Sequence, residues 1–297
     1  MTMLLFDQGK PFFKGNLHTH TTNTDGRKSP EEVLDIYQAA GYDFIALTDH
    51  WKRTVDHPYM KDNMLVMTGI ELDYTMPGQV IHVVGVGVDE SVLENATRNG
   101  GAQNGINAIR KAGGRAILAH PAWSLNTPEM IGAMCDLTAT EIYNSVSCYP
   151  WNGDRADSTC ILDVCAAQGR LLKTVAADDS HFYTGEHCSS YIMLQADELT
   201  QENVLKALDE GAFYATRGPR FEQIEVTEEE IHVQCSKVRH VIFHSNLPWV
   251  GGRTVSGDEL TEATYKISRA RGERFVRVIL IDEDGKRAWA NPIVIKY

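Results

Sequence analysis

Short apolar runs alternate with helix-like segments up to about residue 218, and this alternation is the strongest constraint on the fold. The runs predicted as strands are Phe13–Leu17, Asp43–Thr48, Met64–Ile70, Val80–Val86, Arg115–Ala119, Thr138–Tyr143, Leu171–Ala176 and Tyr191–Gln195. The clearest helix begins after Ser29, a good N-cap followed by Pro30, and ends near Gly41. Further helices are predicted at Asn104–Ala112, Thr127–Cys135, Arg155–Gln168 and Thr200–Glu210. Strands that alternate with helices predict a parallel sheet, either open or closed into a barrel.

After Gly218 and Pro219 the pattern changes to strands that have no helix between them. These predicted strands are Phe221–Thr227, Ile231–Cys235, His240–His244, Thr264–Ser268, Arg274–Ile281 and Ala288–Ile295. The segment Asp282–Gly285 predicts a hairpin turn, because glycine supplies the positive φ that such a turn requires. We therefore expect an α/β domain over residues 1–218 and a small all-β sandwich domain over residues 219–297.

The charge of the chain limits the partners that it can bind. Its 297 residues include 40 acidic and 28 basic ones, which gives a formal net charge of −12. Such a surface repels phosphate backbones and anionic lipids, so we expect neither extended nucleic acid nor a membrane as a partner.

No apolar run approaches the roughly 18 residues of a membrane span, and no secretory signal pattern is present. The six cysteines form no regular framework, which favours reduced, buried thiols and a cytoplasmic protein.

Histidines and acids recur where the predicted strands end. His18 and His20 close the first strand two residues apart, so both rings point to one face of the extended chain. With the later strand ends, the candidate metal ligands are His18, His20, Asp25, His50, Glu71, His82, His120, Asp179 and His181. In a parallel sheet the carboxyl ends of the strands face one common mouth, so these side chains are expected to converge there. Buried charges are costly unless they are paired or bound to metal, and the pattern therefore predicts a metal centre.

The types of ligand indicate which ions would bind. Imidazole and carboxylate without thiolate suit zinc, iron or manganese. Nine candidate ligands exceed what one tetrahedral ion can use, which favours two or three divalent ions that share an acid. Asp49, next to His50, is expected to orient a ligand histidine rather than to bind metal itself.

The ordered set resembles the successive motifs of the PHP (polymerase and histidinol phosphatase) family of metal-dependent phosphoesterases. The motifs are His18-x-His20, Asp25-Gly26, Thr48-Asp49-His50, Glu71, His82, His120-Pro121 and Asp179-x-His181, and they lie within residues of about 14–220. The resemblance implies a distorted (β/α)7 TIM-like barrel with a two- or three-metal centre at the carboxyl ends of its strands. The C-terminal segment, with Asp284-Gly285-Lys286 and the run from Ala288 to Ile293, is similar to the β-sandwich of carbaryl-hydrolase-type PHP proteins.

The resemblance also implies how the ligands divide among the ions. One metal would be held by His18, His20, Glu71 and Asp179, a second by Asp25, His50 and His181, and a third by His82 and His120, with Glu71 bridging to the first. Some family members have histidine at the position of Asp25. A carboxylate at that position keeps a ligand but makes the site harder and more negative.

The expected chemistry is hydrolysis by a metal-bound hydroxide. The chain has neither a G-x-S-x-G elbow nor a P-loop, so no side-chain nucleophile is expected. The first hypothesis is a phosphoesterase acting on a small phosphomonoester or a nucleotide. The second is a carbamate or carboxylic-ester hydrolase that uses the same metals, as the C-terminal similarity suggests. The third is a non-catalytic metal-binding module in which the sandwich recruits a partner.

Four polar residues are candidates to bind the substrate. Arg217 offers a planar guanidinium for a phosphate, and the alternative is a salt bridge between the barrel and the sandwich. Asn144, Lys52 and Arg53 lie near predicted strand ends and are candidates to line the mouth.

Overall fold

The computed structural model describes residues 2–6 and 9–296, and the chain in it has a mixed α/β fold. The strands are β1 (Met3–Leu4), β2 (Phe12–Asn16), β3 (Phe44–Ala46), β4 (Tyr59–Lys61), β5 (Met64–Met67), β6 (Gly69–Met76), β7 (Gln79–Val86), β8 (Arg115–Leu118), β9 (Ala139–Asn144), β10 (Lys173–Ala177), β11 (Tyr191–Gln195), β12 (Phe213–Thr216), β13 (Phe221–Val226), β14 (Glu230–Ser245), β15 (Thr254–Lys266), β16 (Phe275–Ile281), β17 (Arg287–Trp289) and β18 (Ile293–Val294). The helices are α1 (Pro30–Ala39), α2 (Ser91–Asn95), α3 (Gly101–Lys111), α4 (Pro121–Ser124), α5 (Pro128–Ala133), α6 (Thr159–Ala167) and α7 (Gln201–Glu210), and a 3₁₀ turn covers Arg269–Arg271.

The strands form two sheets. The larger has the order β1-β13-β14-β16-β17-β12-β11-β2-β3-β5-β4, with β15 beside β14 and β18 beside β16, and the smaller has the order β10-β9-β8-β7-β6. Only β2–β3, β3–β5, β8–β9 and β9–β10 are parallel pairs among the described strands. The prediction of a parallel sheet is therefore correct only for these pairs. The strands β6 and β7 pair antiparallel because a tight turn at Gly78 (φ +79°) joins them, too short for a crossover helix.

The described strands form no closed sheet. Of the expected barrel, the structure therefore shows only a mixed α/β architecture. The run predicted as one strand at Met64–Ile70 divides at Thr68 into β5 and β6, which belong to different sheets. Gly69 stands at this division, where a Cβ atom would lie 2.7 Å from the carbonyl oxygen of Leu47. Two isolated parallel bridges, Thr19 with Ser180 and His50 with Glu71, connect the two sheets beside the predicted ligands.

The helix α1 confirms its predicted start and supports the loop that carries two candidate ligands. The side chain of Ser29 accepts a hydrogen bond from the Glu32 amide, and the Glu32 carboxylate in turn caps the Ser29 amide. The helix buries Tyr37, whose hydroxyl donates to Asp178 Oδ2 at 2.8 Å. Asp178 also accepts backbone hydrogen bonds from residues 188–190, so the loop after β10 is held at both of its ends.

The C-terminal segment consists of strands, as predicted, but its strands are longer than the sequence indicates. The runs predicted at Ile231–Cys235 and His240–His244 belong to the single strand β14, which pairs with β13, β15 and β16. The larger sheet also continues across residue 218, because β12 pairs with β17 and β1 pairs with β13. The division into domains at residues 218 and 219, and the sandwich form of the second, stay predictions.

Two further expectations concern the cysteines and the membrane. All six cysteines are free, and Cys165 and Cys235 are buried as expected, whereas Cys135 and Cys160 are exposed. Within residues 2–6 and 9–296, no helix combines the length and the apolar character needed to cross a bilayer.

Candidate metal centre

The structure brings all nine predicted ligand residues together around one pocket of about 310 Å³. Seven of them line this pocket, and His18 and His20 lie beneath them with 1% and 0% of their surface exposed. Most of the nine follow a strand end, as predicted. Glu71 instead lies near the start of β6, and His82 lies within β7. Both still face the pocket because β6 and β7 pair there as a hairpin.

The innermost group consists of His18, His20, Glu71 and Asp179, all of which are buried. His18 Nε2 lies 3.3 Å from Glu71 Oε1 and 3.1 Å from Asp179 Oδ1. His20 Nε2 lies 3.1 Å from Glu71 Oε2 and 3.1 Å from Asp179 Oδ1. The four ligand atoms lie within 4.8 Å of one another, and this is the set that the family resemblance implies for one ion.

A second group of possible ligands lies closer to the solvent. It consists of His20, Asp25, His50 and His181. Asp25 Oδ2 is 3.4 Å from His181 Nε2 and 3.6 Å from His50 Nε2. The resemblance implies Asp25, His50 and His181 for one ion, and the geometry adds the Nδ1 atom of His20, which is 3.5 Å from Asp25 Oδ1.

Glu71 also connects the inner group to a third cluster. Its Oε1 atom is 2.9 Å from His82 Nδ1, and its Oε2 atom is 3.2 Å from His50 Nδ1, so these three residues form a further possible site. His120 lies beside this cluster, with its Nε2 atom 3.6 Å from Glu71 Oε1. The rings of His82 and His120 are 4.9 Å apart. Glu71 therefore occupies the position that a shared acid requires.

The residues present fit divalent cations. His20 Nδ1, His50 Nδ1 and Asp179 Oδ1 are buried and have no hydrogen-bond partner, although buried polar atoms are normally paired. The Nε2 atoms of His18 and His20 face each other at 3.1 Å, and they cannot both carry hydrogen at that distance. Imidazole nitrogen and carboxylate oxygen converge here without thiolate, a set of donor atoms that suits divalent metal ions.

The charges of the cluster are complementary. Burial lowers the pKa of His50, but Glu71, Asp73 and Asp25 outweigh it and raise that pKa to about 9. Burial raises the pKa of Glu71, but His18, His82 and His50 hold it well below its usual value. The Glu71 carboxylate is therefore ionised at neutral pH and available as an anionic ligand, and a cation that binds His50 must displace its proton.

Asp49 supports the loop that carries Asp25. Its carboxylate accepts hydrogen bonds from the backbone amide of Thr21 at 2.8 Å and from the hydroxyls of Thr21, Thr24 and Thr54. Within the part of the chain that the structure describes, no ligand histidine is among its hydrogen-bond partners. The expected contact to a histidine is thus replaced by contacts that position a neighbouring ligand loop.

The predicted substrate residues are placed differently from the ligands. Asn144 is buried, and its amide donates to Glu141 Oε2 at 2.7 Å and to Asp179 Oδ2 at 3.1 Å. The guanidinium of Arg217 lies 4.3 Å from the ring centre of Tyr143. None of the four predicted substrate residues, Asn144, Arg217, Lys52 and Arg53, is among the described residues that line the pocket. The Arg217 amide continues the pairing of β12 with β17 and so holds the residue on the sheet. Its role in binding phosphate stays a prediction.

Glu141 was not predicted from the sequence, although it contacts two of the candidate ligands, His18 and His120. It lies in β9, whose six residues are all buried. Its Oε1 atom is 2.7 Å from His18 Nδ1, and its Oε2 atom accepts a hydrogen bond from the His120 amide at 2.8 Å. A carboxylate on Nδ1 keeps hydrogen on that nitrogen and directs the lone pair of Nε2 toward the cluster. The available signal was a charged residue inside a predicted strand.

The comparisons with known proteins find likeness in structure only. No protein-family model matches the chain, and no curated protein matches it significantly. A two-domain protein from Bacteroides vulgatus that contains a predicted PHP-like metal-dependent phosphoesterase matches with a TM-score of 0.53 and 16% identity, covering 96% of each chain.

Two other solved structures match with lower scores. An amidohydrolase from Chromobacterium violaceum, solved with sulfate and no metal, has a TM-score of 0.41 and 15% identity and covers 58% of this chain and 89% of its own. A candidate metal-dependent phosphoesterase from Bifidobacterium adolescentis has a TM-score of 0.40 and 13% identity and covers 56% and 87%. Over nearly its whole length, the chain therefore shares its fold with a protein that contains a PHP-like domain, as the ordered motifs predict.

Proposed function

We propose that this protein is a metal-dependent hydrolase that cleaves small phosphomonoesters. The observation that carries the proposal is the convergence of His18, His20, Glu71 and Asp179 into one buried group with nitrogen and oxygen atoms that lack partners. Two adjoining groups share its members, so more than one ion is expected. Zinc, iron and manganese are the expected ions, in two or three positions.

Ions bound there would supply Lewis acidity and an activated water at neutral pH. The residues of the chain hold these ions and position them. Glu71 joins the groups, and Glu141 fixes the ring of His18. The described pocket lining contains one hydroxyl, that of Ser147, and it donates to Asn144 Oδ1 at 2.8 Å. This engaged hydroxyl is consistent with a reaction that uses water and no side-chain nucleophile.

The finer architecture belongs to the same proposal. If the two isolated bridges are counted as closures, then β2, β3 and β6–β10 follow one another around a ring. Such a ring corresponds to a distorted seven-stranded TIM-like barrel, to which residues 219–297 would add a sandwich domain. A cytoplasmic location and a small-molecule partner, rather than nucleic acid or membrane, complete the proposal.

A carbamate or carboxylic-ester hydrolase is the second candidate, and the charge of the pocket favours it. The described lining includes the acids Asp25, Glu71 and Asp179 but no lysine or arginine. A neutral ester enters such a pocket without electrostatic repulsion, whereas a phosphate depends on bound cations to offset it. The non-catalytic module has no observation of this kind in its favour.

The test is turnover by the full chain loaded separately with manganese, iron or zinc. We expect p-nitrophenyl phosphate to be hydrolysed, hydrolysis to stop after chelation, and 1-naphthyl carbamate to remain intact. The variant His181→Gln should lose most of the activity, and the matched variant His232→Gln on β14 should keep it. Hydrolysis of the carbamate alone would establish the second candidate. No turnover of either compound with metal bound would refute both.

A further inference from the structure

Two aromatic side chains flank the mouth of the pocket, and each lies close in sequence to a candidate ligand. Trp123 belongs to α4, three residues after His120, and the two ring centres are 4.9 Å apart at an angle of 81°. Phe182 directly follows His181, and their ring centres are 6.4 Å apart. Both aromatic residues are half-buried and line the pocket, so each presents apolar surface beside the candidate metal centre.

The backbone that carries each of the two aromatic residues is held in place by hydrogen bonds. The amide of Phe182 donates to Glu186 Oε1 at 2.6 Å, and Glu186 is fully buried. The helix α4 that carries Trp123 is fixed at Ser124, whose Oγ atom is 2.7 Å from His120 Nδ1, and at the Ala122 amide, which donates to a serine hydroxyl at 3.1 Å. A backbone that is already fixed reduces the entropy lost when these residues pack against a ligand.

The rest of the pocket lining is neutral apart from the candidate ligands. It consists of Val146, Ser147 and Asn152, and the described lining residues include no lysine or arginine. One basic group contacts an aromatic residue of the lining: the guanidinium of Arg27 lies 4.7 Å from the ring centre of Phe182. A pocket of about 310 Å³ is at the small end for organic ligands. Its small volume and its two aromatic residues therefore suit one small aromatic group.

We infer that the substrate carries an aromatic ring bonded directly to the ester oxygen that is cleaved. In this inference, which rests on the proposed function, the ring packs against Trp123 and Phe182 while the ester faces the cluster. Packed aromatic rings have centres about 4.5–7 Å apart, and Trp123 is itself only 4.9 Å from His120. A ring packed on Trp123 thus shares a neighbour with the candidate ligand His120. A pocket of about 310 Å³ suits an aryl ester better than a nucleotide, which adds a ribose between its base and its phosphate.

The binding test uses the manganese-loaded full chain and two phosphonates that cannot be hydrolysed. By calorimetry, phenylphosphonate should bind about tenfold more tightly than methylphosphonate, since one aromatic contact is worth about this much. Trp123→Ala should reduce the ratio to within about twofold, and Trp123→Phe should keep most of it. Trp249→Ala is the matched control, because Trp249 is 79% exposed in the C-terminal segment. Equal affinities for the two phosphonates in the unmodified chain would overturn the inference.

The kinetic test separates this inference from the proposed function. With phenyl phosphate as substrate, Trp123→Ala should raise KM about tenfold and change kcat little, because the ring contact is made equally before and during the reaction. A kcat/KM for adenosine monophosphate above that for phenyl phosphate would overturn the direct attachment of the ring. If no phosphate ester is hydrolysed, the proposed function fails, and the ratio of the phosphonate affinities still decides whether the pocket selects an aromatic ring.

Discussion

Replacing Glu141 by glutamine should weaken metal binding while preserving the shape of the site. Glu141 Oε1 receives the hydrogen of His18 Nδ1 at 2.7 Å, and Oε2 accepts from the His120 amide and from Asn144 Nδ2. Glutamine has only one side-chain oxygen, so it cannot accept hydrogen bonds both from His18 and from the two amide donors. If the oxygen keeps the two amide donors, the new NH₂ group faces His18 Nδ1 and forces its hydrogen to Nε2. The nitrogen that faces the cluster then has no lone pair for a cation.

The magnitude follows from the kind of contact that is lost. Glu141 is 1% exposed, so water does not replace the lost carboxylate. Removing an outer carboxylate from a ligand histidine typically lowers metal affinity by about 10–100-fold, which corresponds to about 1.4–2.7 kcal/mol. A hydrogen bond to a charged group contributes about 1.5–3 kcal/mol, and the two ranges agree. We therefore expect the Kd for the tightest ion to rise by about 10–100-fold.

The assay is calorimetric titration of chelator-treated protein with manganese, together with thermal unfolding without metal. Glu273→Gln is the matched control, because Glu273 is also fully buried and accepts hydrogen bonds from Tyr265 and Ser268 in the C-terminal segment. The control should lose stability but keep the metal Kd within about twofold. A Glu141→Gln protein that folds and binds manganese like the unmodified chain would refute the role assigned to Glu141.

Three further predictions concern the metal, a ligand loop and the C-terminal segment. A free metal concentration 100 times the Kd of one site should stabilise the folded chain by about 2.7 kcal/mol and raise Tm by about 4 °C. A Tm that does not change when a chelator is added would contradict this. Gly26→Ala should weaken metal binding, because its Cβ would lie 2.5 Å from the His20 carbonyl oxygen, while Gly132→Ala, which meets no atom within 4 Å, should bind normally in the same titration. Asp163→Asn should lower the free energy of unfolding, measured with urea, by about 3 kcal/mol, because it leaves the buried guanidinium of Arg277 without its carboxylate.

The effect of Asp163 should also depend on pH. Burial raises its pKa, but the hydrogen bond from His244 and the charge of Arg277 outweigh burial and lower it. The stability that Asp163 contributes is therefore complete above the pKa of about 3.9 for an unfolded aspartate, and it is lost as the pH falls below that value. The difference in the free energy of unfolding between the unmodified chain and Asp163→Asn should therefore shrink as the pH falls below that value. Glu259→Gln, which breaks an exposed pair, should change stability by less than about 0.5 kcal/mol at any pH.

The ligands could be predicted because their signal is local. His18 and His20 share one face of an extended segment, and the other candidates recur at predictable places next to strands. The sheet topology was less accessible. A parallel sheet was expected because strands alternate with helices. The division at Thr68 instead places β6 in a different sheet from β5, and the hairpin at Gly78 makes β6 and β7 antiparallel. Both changes depend on one or two residues inside or between apolar runs, where periodicity carries no signal.

Two buried polar contacts, one at the metal centre and one with the C-terminal segment, were missed because they join distant parts of the chain. Glu141 is 123 residues from His18 and Asp163 is 114 residues from Arg277, so no spacing in the sequence connects them. Each nevertheless leaves a trace that physical reasoning can use. A buried carboxylate needs a partner, and histidines at neighbouring strand ends can supply one. The sequence marks Glu141 as a charged residue within a predicted strand, but the burial that makes a partner necessary is a property of the fold.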